Sequence, residues 1–455
     1  MSRVARIELT PVAFADPPLL NVSGVHEPFA LRTIVQMWTD DGLVGLGETY
    51  ASDDHLARLQ AVADVLPGLD VFDLNGLRRR VTTVLAPGGI PNHQDPVDVV
   101  MSPFEVALLD AQGKQSGRPV ADLLGGAVRD EVPYSAYLFY KWAGHPGRPG
   151  RPGPAAHAGH AGPAAHAGRS GHAADAGHSG HLGHPARPGQ PGQEPDSWGE
   201  ALDPDGIVRQ ARTMIEQYGF TAIKLKGGVF PPEQEAEAVR ALAAAFPEHK
   251  LRIDPNCAWT VDTSIRLARE LSGILEYLED PTPGIDGMAE VARHTEIPLA
   301  TNMCVVAFAH LKPAVLADAV QVVLSDHHYW GGLRRSQLLG GTCGTFGLGL
   351  SMHSNSHLGI SLAAMTHLAA ATPNLTYACD THYPWKTEDV IKPGVLSFES
   401  GSVRVPSGPG LGVELDDDAL GELHEQYLRC GIRKRDDTTY MRTFDPTFAP
   451  NTARW

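Results

Sequence analysis

Lys224 and Lys226 stand two residues apart in Thr221-Ala-Ile-Lys-Leu-Lys-Gly-Gly228, a short apolar run that reads as a β-strand. Side chains at i and i+2 of a strand leave the same face, so two ammonium groups point into one space. Each disfavours the charged form of the other, which drives one toward a neutral base near neutral pH. An edge strand with two solvated lysines is the alternative reading of the same residues. Further along, the runs 251–254, 275–279, 298–302, 320–326, 347–353 and 375–382 each close on a polar or ionisable residue. Three of those closing residues, Asp254, Glu279 and Asn302, offer two carboxylates and an amide. These are hard oxygen donors that suit Mg²⁺ and leave positions for water and substrate. No cysteine–histidine set accompanies them, which argues against zinc. Asp326 and His353 end neighbouring runs, where the carboxylate can hold the imidazole in one tautomer. His327 and His328 follow Asp326 directly, so spacing alone does not fix the histidine of that dyad. Lysine on one side, histidine on the other and a divalent ion between them form a site for removing the α-proton of a carboxylate. Departure of a β-hydroxyl, helped by a proton from an acid, then gives dehydration.

The elements that must position these residues follow from their rhythm. From Lys226 onward the closing residues recur every 23 to 29 positions, the length of one strand, one helix and two loops. Helix-period segments at 206–218, 233–246 and 263–271 fill the first intervals. With 134–140 as the first strand, the pattern predicts an α/β fold, a (β/α)₇β TIM-like barrel with reactive groups at the carboxyl ends of its strands. A doubly wound open sheet is the competing architecture. Upstream, 4–10, 32–39 and 43–48 alternate in the strand manner with a tight turn at Asp40-Asp41-Gly42, and 54–82 and 96–116 carry helical periods. Residues 21–26 read as a polar loop with no core of its own. The expected domains are an α+β capping domain at 1–130, the barrel at 131–390, and a segment at 391–455. That segment has a last helix at 418–430 and folds back on the capping domain.

A chain of 455 residues has room for two or three folded units. Its net charge of −16 excludes a nucleic-acid partner, since no basic stripe offsets the acid excess. No apolar run is long enough for a bilayer and no signal peptide is expected, so no membrane partner is predicted. The five cysteines are odd in number and scattered, which fits reduced thiols in a cytoplasm. Residues 143–195 hold a single large apolar side chain, Leu182, and eight of the 21 histidines. This low-complexity stretch reads as a disordered insert, with capture of transition metals as its second possible role.

The runs KLKGG (224–228), DPN (254–256), EDP (279–281), ATNM (300–303), SDHHYW (325–330), HSNSH (353–357), DTH (380–382) and RDD (435–437) resemble the glucarate dehydratase family of the enolase superfamily. The likeness extends over nearly the whole chain outside 143–195. It implies a hydro-lyase that uses Mg²⁺ to convert D-glucarate to 5-keto-4-deoxy-D-glucarate. By resemblance, Asp254, Glu279 and Asn302 hold the ion, with Asp286 as an alternative second ligand because the loop after EDP is short. Lys226 and His353 become the bases on opposite faces of the substrate, Asp326 pairs with His353, and Lys224 contacts the carboxylate. Substrate contacts carry over one by one to His26, Ser102, Tyr137, Asn256, Ser354, Asn355, His382 and Arg435, with Ser102 standing where a threonine is expected. His26, His382 and Arg435 suit the far carboxylate of a hexarate dicarboxylate. The resemblance also implies a homo-oligomer. Three readings compete: a racemase, epimerase or cycloisomerase on the same scaffold, a dehydratase for another acid sugar, and an inactive barrel carrying a metal-binding insert.

Overall fold

The computed structural model describes residues 2–85, 94–146 and 196–455. It opens with β1 (Val4–Ala15), β2 (Leu20–Asn21), β3 (Gly24–Val25), β4 (Phe29–Thr39) and β5 (Val44–Tyr50). β1, β4 and β5 form an antiparallel sheet with β4 in the middle. Residues 21–26, expected to be a coreless loop, instead form part of the β2–β3 hairpin, with Val22 and Val25 buried. Helices α1 (Asp53–Ala63), α2 (Leu74–Val84), α3 (Pro96–Ser116) and α4 (Val120–Leu123) follow. Asp95 caps α3 and Pro96 starts it, the combination a helix N-terminus favours. α3 lies so close to β5 that a side chain at Gly47 would run into the Pro103 carbonyl. The close approach therefore requires glycine there.

After β6 (Glu131–Pro133) the strand–helix alternation begins. It runs β7 (Ser135–Phe139), α5 (Pro204–Tyr218), β8 (Ala222–Lys226), α6 (Pro232–Ala245), β9 (Lys250–Asp254), α7 (Val261–Glu270), β10 (Leu275–Glu279) and α8 (Gly284–Ala292). It continues through β11 (Leu299–Thr301), α9 (Phe308–Leu316), β12 (Val322–Ser325), α10 (Leu333–Thr345), β13 (Gly349–Met352) and α11 (Gly359–Ala370). The seven strands β7 to β13 form one parallel sheet in sequence order, and all five residues of β8 are buried. Burial on both faces explains why these strands read as short apolar runs instead of alternating ones.

The run 375–382 is not a regular strand, a correction to the sequence reading. It closes the ring by a few scattered bonds: Cys379 N donates to Pro133 O and Ser135 N to Cys379 O on one side (both 2.9 Å), and Asp380 N donates to Met352 O (2.8 Å) on the other. A 3₁₀ turn starting at Tyr383 ends it before a ladder can form. These bonds join the two outermost strands and argue against an open sheet.

The chain then forms β14 (Phe398–Glu399), β15 (Ser402–Arg404), α12 (Asp417–Cys430) and α13 (Asp437–Arg442), with β15 pairing to β6. α12 lies on β1, where the His424 ring meets the Pro11 carbonyl (2.7 Å) and Gln426 donates to Ala13 O (2.9 Å). α13, capped by Asp436, had no counterpart in the sequence reading. Of the histidine-rich run 143–195, residues 147–195 lie outside the described residues. Among the described residues no helix is long and apolar enough to cross a membrane.

Candidate active site

β8 brings the lysine pair to the carboxyl end of the sheet. Gly228 follows with φ 76°, and a Cβ there would collide with the Pro255 carbonyl, so only glycine lets this turn lie against the next strand end. The turn is held by Glu235 of α6, whose carboxylate accepts the backbone N–H groups of Gly228, Val229 and Phe230 at 2.9–3.1 Å. Burial pushes Glu235 up to about 7, against those three donors.

Both lysines are buried, as a shared face predicts, and both reach Asp254. Lys226 Nζ donates to its Oδ2 at 2.6 Å, and Lys224 Nζ lies 3.7 Å from the same oxygen. Lys224 also donates to Glu279 Oε1 (2.7 Å) and Asp380 Oδ2 (2.6 Å), and sits beneath the Tyr137 ring. The expectation that mutual repulsion neutralises one lysine is overturned. Burial favours neutral amines, but Asp380, Glu279 and Asp254 outweigh it at Lys224 and Asp254 outweighs it at Lys226, so both lysines are raised above the ordinary range. Repulsion between the two cations is outweighed by the three carboxylates that tertiary folding brings to them, which residue spacing does not reveal.

Asp254, Glu279 and Asn302 stand at three adjacent strand ends. Lys224 Nζ is 2.7 Å from both Glu279 oxygens, yet only Oε1 is aligned as a hydrogen-bond acceptor. Glu279 Oε2 is thus met only by the charge of Lys224, and Asn302 Oδ1 is a buried acceptor without a donor among the described residues. Unsatisfied buried oxygens are costly unless something positive meets them. That amide oxygen, beside the carboxylates of Asp254 and Glu279, fits a small, oxygen-seeking divalent cation. Asp286, the alternative ligand, is exposed in the first turn of α8, whereas Glu279 is fully buried. The loops around this set are strained: Asn256 and Asp280 have φ of 56° and 36°. Asp280, which the sequence reading passed over, clamps Thr301 Oγ1 (2.5 Å) and Asn302 N (2.8 Å) and so aims Asn302. Burial, with Asp254 nearby, pushes Asp280 up to about 7.

Across the ring, His353 Nδ1 meets Asp326 Oδ2 at 2.9 Å. The ambiguity among the histidines resolves into sharing, because His328 Nδ1 takes the other oxygen, Oδ1, at 2.7 Å. Burial alone would raise Asp326, but His328 and His353 outweigh it and hold the carboxylate well below its usual range. An ionised Asp326 requires the His353 proton on Nδ1, leaving Nε2 as the basic nitrogen.

The other predicted contacts divide into groups. His26 Nδ1 and Arg435 Nη1 converge on Asp16 Oδ2 at 3.2 and 3.1 Å, and Ser356 joins them at 3.2 Å. His382 is linked to this cluster through Phe139, which meets His26 edge-on and His382 at a tilt, and its Nδ1 meets Ser354 Oγ at 3.1 Å. Tyr137 packs edge-on to His382. Asn256 N donates to Asp254 Oδ1 (2.9 Å). Asn355 has its amide taken up by Arg32, Asp326 and Tyr50. Ser102 is buried in α3 and donates to the His327 carbonyl (2.8 Å), which ties it to the loop after β12. Besides Asp280, the sequence left Asp380, Glu235 and Arg32 without a role, and His328 only as an alternative partner for Asp326. The second acid of EDP and the acid of DTH were visible signals, while Arg32 lies in a distant strand with none.

Comparison with known proteins follows the same lines. A family model for the mandelate racemase/muconate lactonizing enzyme N-terminal domain matches residues 7–125, and one described as enolase C-terminal domain-like matches 206–419. A probable glucarate dehydratase of Streptomyces coelicolor is 49% identical, with 99% of each chain covered. A crystal structure of an enolase from Mycobacterium smegmatis complexed with tartrate is 60% identical, with a TM-score of 0.88 over 100% of this chain and 99% of that one. An enolase structure from Thermobispora bispora complexed with magnesium and formate is 56% identical, with a TM-score of 0.88 over the full length of both.

Proposed function

The chain belongs to the enolase superfamily, and from that premise we propose that it dehydrates D-glucarate to 5-keto-4-deoxy-D-glucarate with Mg²⁺. One observation carries the reading: Lys226 and an Asp326-oriented His353 stand on opposite sides of one ring, with the oxygen ligands Asp254, Glu279 and Asn302 at the strand ends between them, the last with its buried Oδ1 unmet among the described residues. Mg²⁺ held by Asp254, Glu279 and Asn302 supplies positive charge against the negative charge that develops on the substrate carboxylate. Lys224 adds a fixed cation beside the same carboxylate. His353 takes the α-proton through Nε2 while Asp326 stabilises the imidazolium. The imidazolium then gives that proton to the β-hydroxyl, which leaves as water when the C–O bond breaks, and the enol left behind tautomerises to the keto-deoxy acid. Lys226, protonated as it stands, returns a proton on its own face and accepts one when the Asp254 charge is neutralised. His26, His382 and Arg435 hold the far carboxylate. Five free cysteines favour a reducing, cytoplasmic setting.

The test is incubation with D-glucarate and Mg²⁺ followed by proton NMR. A keto-deoxy acid is expected, and its formation should stop when EDTA removes the metal. Opposed bases also suit epimerisation, so accumulation of the C5 epimer without any keto-deoxy acid would replace this reading with an isomerase. Absence of any conversion would remove both.

A further inference from the structure

We infer that Arg32, carried by capping-domain strand β4, is a positioning residue for His353: through His328 and Asn355 it fixes the Asp326 carboxylate that orients the base. This rests on the proposed role of His353.

Arg32 is buried, 1% exposed, and its guanidinium has four polar side-chain partners besides the Tyr50 ring it lies over. Nε donates to Glu48 Oε1 (2.8 Å), Nη1 to Asn355 Oδ1 (3.2 Å), and Nη2 lies 2.7 Å from His328 Nε2 and 3.4 Å from Ser361 Oγ. A guanidinium can only donate. His328 Nε2 must therefore accept, and its ring proton must sit on Nδ1, where it donates to Asp326 Oδ1 at 2.7 Å. The same logic turns the Asn355 amide. Its oxygen faces Arg32, so its NH₂ faces Asp326 Oδ2 at 3.3 Å. One cation thus decides the polarity of two arms that end on the two oxygens of a single carboxylate. A further bond from His328 N to Oδ1 (2.9 Å) completes its hold. Arg32 is itself locked, because Glu48 also accepts from Leu358 N and Ser361 N at 2.8 Å, at the start of α11.

The wiring also explains why Asp326, His327 and His328, whose ligand atoms lie within 4.8 Å of one another, do not read as a metal site. The Arg32 cation already occupies the lone pair of His328 Nε2. The consequence is that the barrel base depends on a side chain from the other structural unit.

Two variants test this: Arg32→Met, and Arg32→Met with Glu48→Gln so that no unpaired carboxylate is left buried. ¹⁵N–¹H imidazole spectra of the substrate-free protein should show His328 protonated on Nδ1 in the wild type and mixed between its nitrogens in both variants. With D-glucarate, attacked by His353, kcat should fall about 30-fold with KM within about threefold, a portion of what a general base contributes. The C5 epimer, attacked by Lys226, should keep its rate within about threefold. Equal losses on both epimers, or an unchanged His328 tautomer in the folded variants, would overturn the inference. If the wild type turns over neither acid, the activity reading fails while the tautomer spectra still decide the role of Arg32.

Discussion

Replacing Asp326 by asparagine is the most discriminating change the site offers. The side chain keeps its shape but one of its two acceptors becomes an NH₂ donor. Oδ1 receives an obligatory donor, the His328 backbone N–H, as well as the His328 ring, so the amide oxygen stays there. The NH₂ then falls where Oδ2 was, facing His353 Nδ1 (2.9 Å) and the Asn355 amide (3.3 Å). Two N–H groups cannot face each other, so His353 moves its proton to Nε2 and loses the lone pair that removes the α-proton. The imidazolium formed in the reaction also loses its counter-charge. Together these remove most of a general base, about 10³- to 10⁴-fold in rate, or about 4–5.5 kcal/mol of transition-state stabilisation. Stability should suffer less, by about 1–3 kcal/mol, because a buried bond is weakened and no cavity is made. The assay is kcat on D-glucarate and on its C5 epimer, with deuterium exchange at C5 in D₂O. A large loss confined to D-glucarate is expected. Undiminished exchange, or equal losses on both epimers, would refute the tautomer argument.

Three further outcomes follow from the same geometry. Mg²⁺ at about 100 times its Kd should stabilise the protein by about 2.7 kcal/mol, read as a thermal shift. Asn302→Leu should abolish that shift, and an unchanged shift would take Asn302 out of the donor set. Arg435→Lys keeps the charge but loses the fork that grips Asp437 through Nε and Nη2 and Asp16 through Nη1. KM for a dicarboxylate should rise about 10-fold with kcat nearly unchanged, since charge-assisted bonds are worth about 1.5–3 kcal/mol. A fall in kcat alone would place Arg435 elsewhere in the reaction. Burial would raise Asp16 and Asp437, yet His26 and Arg435 outweigh it and depress both carboxylates. Depressed acids contribute stability above about pH 4 and lose it as pH falls through their folded values. Urea midpoints should therefore drop steeply below about pH 4, and Asp437→Asn should flatten that decline.

The strand–helix rhythm, the shared face of Lys224 and Lys226 and the order of the strand ends were legible in the sequence because each depends on local period. A strand of five residues must put positions 224 and 226 on one side whatever surrounds it. The same locality made Asp326 and His353 neighbours, since parallel strands one crossover apart lie side by side. Irregular pieces escaped: the hairpin at 20–25, the bridging segment around Cys379 and the short helix after Asp436 are all shorter than the periods that reveal an element.

Charge states were beyond sequence altogether. Whether Lys226 is a free base or an ion-paired acid depends on Asp254, 28 residues away, and for Lys224 on Asp380, 156 residues away. Coulombic energy depends on distance in space and on burial, neither of which residue spacing encodes. Arg32 illustrates the limit best. In the chain it is one more polar position in an alternating strand. Only folding sets its guanidinium 2.7 Å from His328, 296 residues away, where a group that can donate but never accept dictates which way its neighbours point.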